Sequence, residues 1–94
     1  MNRIKVRHVS TANLGIEVHL NGSIFDVSFD SLWECETYVE ALLKTRDHEQ
    51  ACKVATEWSF GEQAKDAPLI PSGMTIADAR ACVRGMVEKA RAAA

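Results

Sequence analysis

Apolar residues alternate with polar ones over the first third of the chain and then recur every three or four positions. Strands are therefore expected first and helices after them. Ile4 and Val6 alternate with Arg3, Lys5 and Arg7. Beyond the turn-rich run Ser10-Thr11-Ala12-Asn13, Ile16 and Val18 fall on one face of a second strand, with Glu17 and His19 on the other. Asn21-Gly22 is the dipeptide that a two-residue type I′ turn favours, because both central positions need positive φ. Phe25, Val27 and Phe29 then continue on a third strand. With Asn21 and Gly22 as the loop, Val18 opposes Phe25 and Ile16 opposes Val27 on one face, while Glu17 opposes Asp26 on the other. The apolar pairs coincide, as a half-buried sheet requires. The like-charged pair is mildly destabilising. If Ile4 and Val6 join the apolar face, Lys5 lands beside Glu17 and offsets it. The outer face then carries Arg3, Lys5, Glu17, His19, Asp26 and Ser28.

Helical spacing takes over at Ser31. Ser31-Leu32-Trp33-Glu34 fits a capping box, and Leu32, Cys35, Val39 and Leu42 form an inward stripe. Glu34, Glu36 and Glu40 face outward; Glu36 and Glu40 repel at a spacing of four with no cation near in sequence. A second helix is expected from about Asp47, with Gln50 three residues on, burying Ala51, Val54, Ala55 and Trp58. Gly61 to Gly73, with Pro68 and Pro71, reads as a loop. Thr75 and Asp78 open a third helix with the stripe Ile76, Ala79, Val83, Met86 and Ala90. The expected architecture is one α+β domain over 1–94, a three-stranded antiparallel meander packed on three helices in the order βββααα.

The chain has 94 residues, enough to bury roughly 60–65% of its unfolded surface without a metal or disulfides. Its 47% hydrophobic and 26% charged content rules out an acidic solvating tail. No apolar run approaches the roughly 18 residues of a membrane span, and Met1 to Arg7 lacks a signal-peptide core. Three widely spaced cysteines, Cys35, Cys52 and Cys82, suit free thiols in a reducing compartment. The expected location is the cytoplasm. Net charge is only −2, but its distribution is uneven. Between His8 and Leu43 lie Glu17, Asp26, Asp30, Glu34, Glu36 and Glu40, with no Lys or Arg. That acidic stretch disfavours phosphate contacts and suits a basic partner surface.

Catalytic patterns are sparse. His48 and Cys52, four apart, can share a helix face, but one pair is too few ligands for a structural zinc. No Gly-rich phosphate cradle, GxSxG, HExxH or CxxC occurs. Glu17 and Asp26 pair on an open sheet face, where burial cannot raise a pKa for acid catalysis. A non-enzyme without cofactor or metal is expected. Arg80, Arg84, Lys89 and Arg91 form a modest basic stripe on the last helix, so a small nucleic-acid-binding regulator using that helix is the alternative.

The runs His8-Val9-Ser10-Thr11-Ala12-Asn13-Leu14, Ile16-Glu17-Val18-His19 and Asn21-Gly22-Ser23, with Phe29-Asp30-Ser31 opening a helix, resemble small phage anti-CRISPR proteins. The resemblance covers the first half of the chain and is to inhibitors that bind the backbone Cas subunit of the type I-F Cascade complex. It implies a protein that docks on a Cas subunit of a type I CRISPR effector complex in the host bacterial cytoplasm and blocks target DNA binding without chemistry. Family interface tyrosines align with His8 and His19, so both are replaced here, and the two further helices depart from the family's compact pattern. By strand parity with Val6, His8 points toward the core unless a bulge intervenes. The candidate partner-binding residues are thus Arg3, Lys5, Glu17, His19 and Asp26 on the sheet and Glu34, Glu36 and Glu40 on the first helix.

Overall fold

The computed structural model describes residues 3–9, 14–20, 22–66 and 75–93. Strands β1 (Arg3–Val9), β2 (Leu14–Leu20) and β3 (Ser23–Phe29) form one antiparallel sheet in the spatial order β1-β2-β3. Helices α1 (Leu32–Thr45), α2 (His48–Ser59) and α3 (Ile76–Ala93) follow, with a 3-10 helix at Glu62–Asp66 between the last two. The order is βββααα and the class α+β.

The β2–β3 register is the one the Asn21-Gly22 turn dictates. Val18 pairs with Phe25, Ile16 with Val27 and Glu17 with Asp26. Gly22 has φ +82°, the left-handed backbone that a type I′ turn demands and glycine adopts without strain. Asn21 lies outside the described residues. On the other side Ile4 pairs with Val18 and Lys5 with Glu17. The register shifts between Val6 and His8, so His8 comes opposite Gly15. A bulge intervenes there, and the simple parity argument for His8 does not hold. The side chains of Arg3 and His8 lie outside the described residues.

All three helices stack on one side of the sheet. Leu14, Ile16, Val18 and Leu20 of β2 are buried, and so are Cys35, Tyr38, Val39 and Leu42 of α1. Ala79, Val83 and Met86 bring α3 into the same cluster. Helix α1 begins at Ser31, whose hydroxyl accepts from the Trp33 and Glu34 amides. Asp47 caps α2 by accepting from Gln50. Thr75 and Asp78 cap α3 reciprocally, the Asp78 amide donating to the Thr75 hydroxyl and the Thr75 amide to the Asp78 carboxylate.

The expected burial is corrected at Val54, Trp58, Leu32 and Ala90, which are half-buried, and the side chain of Ile76 lies outside the described residues. At Val54 and Trp58 the reason is that α2 packs chiefly on α1 and only the small Ala51 and Ala55 reach the core. Leu32 is likewise only partly buried against the cluster. The fully buried residue absent from the expected α1 stripe is Tyr38. The stretch read as a loop from Gly61 contains the 3-10 helix at its start, where an amide hydrogen bond from Ala64 to the Gly61 carbonyl tightens the chain.

Candidate functional site

With the described helices on one side, the outer face of the sheet meets none of them. Lys5, Asp26 and Ser28 are exposed there, and Glu17 and His19 are half-buried. Lys5, Glu17 and Asp26 sit abreast across the three strands, so the cation expected to offset the two acids is in place. His19 Nε2 donates to Glu17 Oε1 at 2.7 Å; an ionised carboxylate only accepts, so the ring proton belongs on that nitrogen. Arg3 pairs with His19 along the backbone. The face therefore holds Lys5, Glu17, His19 and Asp26 together as a mixed-charge strip.

On the edge strand, beside the hairpin turn, stands a residue that the apolar pattern did not single out. Ile24 pairs with His19, which places it on the outer face, and it is 62% exposed. The turn register already contained this: parity puts Ile24 with Asp26 and Ser28, not with Phe25. Trp33, in the first turn of α1, and Phe60, at the end of α2, are the other large apolar residues on the surface. A lone exposed leucine or isoleucine is ordinary. Here the exposed isoleucine adjoins charged groups, with His19 across the strand pair and Asp26 two residues along the same strand.

The three α1 acids do not form one edge. Glu34 and Glu36 are two residues apart, so they leave the helix on opposite flanks. Glu36 is tied to α3, accepting from Lys89 Nζ at 3.2 Å. The cation that sequence proximity did not supply comes from 53 positions further on. Glu34 is half-buried, and burial first and the Asp30 charge second hold its carboxyl above the usual range. Among these three only Glu40 is exposed. Because α1 lies behind the sheet, its acids and the outer strip belong to different surfaces.

His48 and Cys52 do meet. Cys52 Sγ is 3.5 Å from His48 Nε2 and 3.8 Å from Nδ1. The imidazole, however, is already engaged: the Phe25 ring stacks on it at 4.0 Å, and the Tyr38 hydroxyl is 2.9 Å from Nδ1. Burial pushes the Cys52 thiol up, whereas a nucleophilic cysteine beside a histidine needs its pKa lowered. The cluster is suited to packing. Among the described residues no group of three or more His, Cys, Asp or Glu side chains is placed to hold a metal ion.

The basic stripe of α3 divides. Lys89 turns to Glu36, while Arg80, Arg84 and Arg91 line a groove of about 610 Å³ between α3, the end of α1 and the β1–β2 edge. Ile4, Val18, Leu42, Val83 and Val87 contribute apolar lining, and Arg46, Lys5 and His19 further polar groups. Arg46 sits at the α1 C-terminus in the left-handed region, φ 55°, its amide donating to the Leu42 carbonyl at 2.7 Å. Glu88 is the only carboxylate in the lining.

No family model, curated protein or solved structure matches this chain. Among the described residues, no helix is long and apolar enough to cross a membrane.

Proposed function

We propose that this protein acts by binding a macromolecule rather than by catalysis, and that it is an anti-CRISPR inhibitor docking its outer sheet face on a Cas subunit of a type I effector complex. The observation that carries the reading is Ile24, exposed among Lys5, Glu17, His19 and Asp26 on a face that no described helix covers. A flat, rigid, hydrogen-bonded sheet presents such a strip with little ordering cost on association. The strip lacks an enclosing cleft, which suits a large partner better than a small substrate. The sequence resemblance supplies the partner class. The acids of the strip would engage Lys or Arg groups that otherwise hold target DNA, so association should weaken as salt rises.

The test is binding to purified type I Cascade, read by biolayer interferometry and by protection of Cascade from target DNA in a gel shift. Ile24→Asp and Asp26→Lys should each weaken binding by about tenfold or more, since losing an anchoring contact typically costs about 2 kcal/mol. Glu36→Lys with Glu40→Lys should leave it unchanged. If the α1 reversals abolish binding and the strand variants do not, the contact surface is the helix. If no type I complex binds at all, the inhibitor proposal fails.

A further inference from the structure

The groove beside α3 shares Lys5 and His19 with the sheet strip, but the proposed docking does not use its arginines. We infer that it is a second binding site, which takes an acidic segment of a partner protein, extended and carrying apolar side chains between its carboxylates. Three observations carry this. First, the charge is one-sided: among the described residues neither Arg46 nor Arg80, Arg84 or Arg91 has a carboxylate within ion-pair distance, and Glu88 alone opposes them in the lining. Four unpaired guanidiniums around one concavity repel one another and are relieved by an anionic occupant. Second, the cations are spread out. Arg80 and Arg91 are separated by about 16 Å along the helix at 1.5 Å per residue, so a single head group such as a fatty-acid carboxylate would satisfy one end only. Third, the accessible surface between them is aliphatic, from half-buried Ile4, Leu43 and Val87 over a floor of buried Val18, Leu42 and Val83. An extended peptide of about five residues covers that length and alternates its side chains every 3.3 Å or so, apolar inward and acidic toward the rim.

Nucleic acid fits less well. Among the described residues the lining holds no Phe, Tyr or Trp, and its one imidazole, that of His19, is engaged with Glu17; single strands bind by stacking successive bases on such rings. Guanidiniums, by contrast, match carboxylates bidentately.

The experiment uses the full chain and fluorescence anisotropy. The probe is a labelled peptide alternating Glu and Leu, about six residues long to match the groove. Its comparators are the same peptide with Ser for Leu, an oligo-dT of equal length and dodecyl phosphate. The Glu-Leu peptide should bind most tightly and lose affinity as salt rises. The double variant Arg84→Glu, Arg91→Glu, both at exposed positions, should weaken it about tenfold or more. Lys53→Glu, exposed on α2 and outside the groove, should change it little, and circular dichroism should show all variants folded. The proposal is overturned if the arginine reversals leave peptide binding intact, if the Ser peptide binds equally, or if oligo-dT or dodecyl phosphate binds more tightly. Ile24→Asp, which tests the sheet strip, should leave peptide binding unchanged, so the two proposals can fail separately.

Discussion

Tyr38 shows how one side chain joins three elements. Its ring is buried against Phe29, centroids 5.3 Å apart, and its hydroxyl reaches His48 at the start of α2. With the tyrosine as donor, the proton of a neutral imidazole sits on Nε2, the nitrogen nearer the Cys52 sulfur. Burial, followed by the nearby cysteines, raises the Tyr38 pKa, so the hydroxyl stays protonated and can donate. Tyr38→Phe removes only the oxygen and should cost about 1 kcal/mol, read as a lower urea midpoint at unchanged slope. Tyr38→Ala also opens a cavity and should cost about 3–5 kcal/mol. Equal stability of Tyr38→Phe and wild type would mean that the hydrogen bond contributes nothing. The missing expectation at this position has a plain cause: tyrosine is amphipathic, so an apolar-stripe argument skips it. Its spacing from Cys35, Val39 and Leu42 is nevertheless the helical one.

At the scale of the element, α1 carries a conflict at its first turn. An acid there is ordinarily favoured by the helix dipole, but Glu34 is partly desolvated and sits by Asp30, and its carboxyl is raised above the usual carboxylate range. A raised folded-state pKa means that folding prefers the protonated form. The contribution to stability is therefore fully present below about pH 4.5 and is lost as pH rises through the higher folded value. Glu34→Gln should raise the melting temperature at pH 7 and make no difference at pH 3. The rise should be small, about 1–2 °C, because solvent screens the group. An equal change at both pH values would assign the effect to packing. At the other end Arg46 closes the helix in a backbone conformation that glycine adopts more readily. The same residue lines the groove that α1 shares with α3.

Across the whole molecule, a three-stranded sheet covered on one side leaves two surfaces of different kind, a mixed-charge strip and an arginine-lined groove. Cys35 lies in the layer between sheet and helices, fully buried, with its thiol pushed up to about 12, first by desolvation and then by the charges of Glu34, Cys82 and Glu36. At pH 8 its alkylation should therefore follow global unfolding, while half-buried Cys82 labels earlier, as mass spectrometry would resolve. Simultaneous labelling of both would show that the core opens locally. The β2–β3 register, the helix caps and the main part of the inward stripes were legible in the sequence, because each depends on neighbours within a turn of chain: Gly22 sets the hairpin, Ser31 and Thr75 open helices, and period two or 3.6 sorts the faces. Lys5 beside Glu17 was legible for the same reason, once the hairpin was known. The bulge before His8 and the Lys89–Glu36 tie were not. Each depends on how distant segments pack, and a pattern of polarity along one segment holds no record of which partner arrives from the far end of the chain. The groove is the clearest case. Arg46 and Arg84 are far apart in sequence and on different helices, and only the packing of α3 beside α1 on the sheet gathers their charges around one apolar floor.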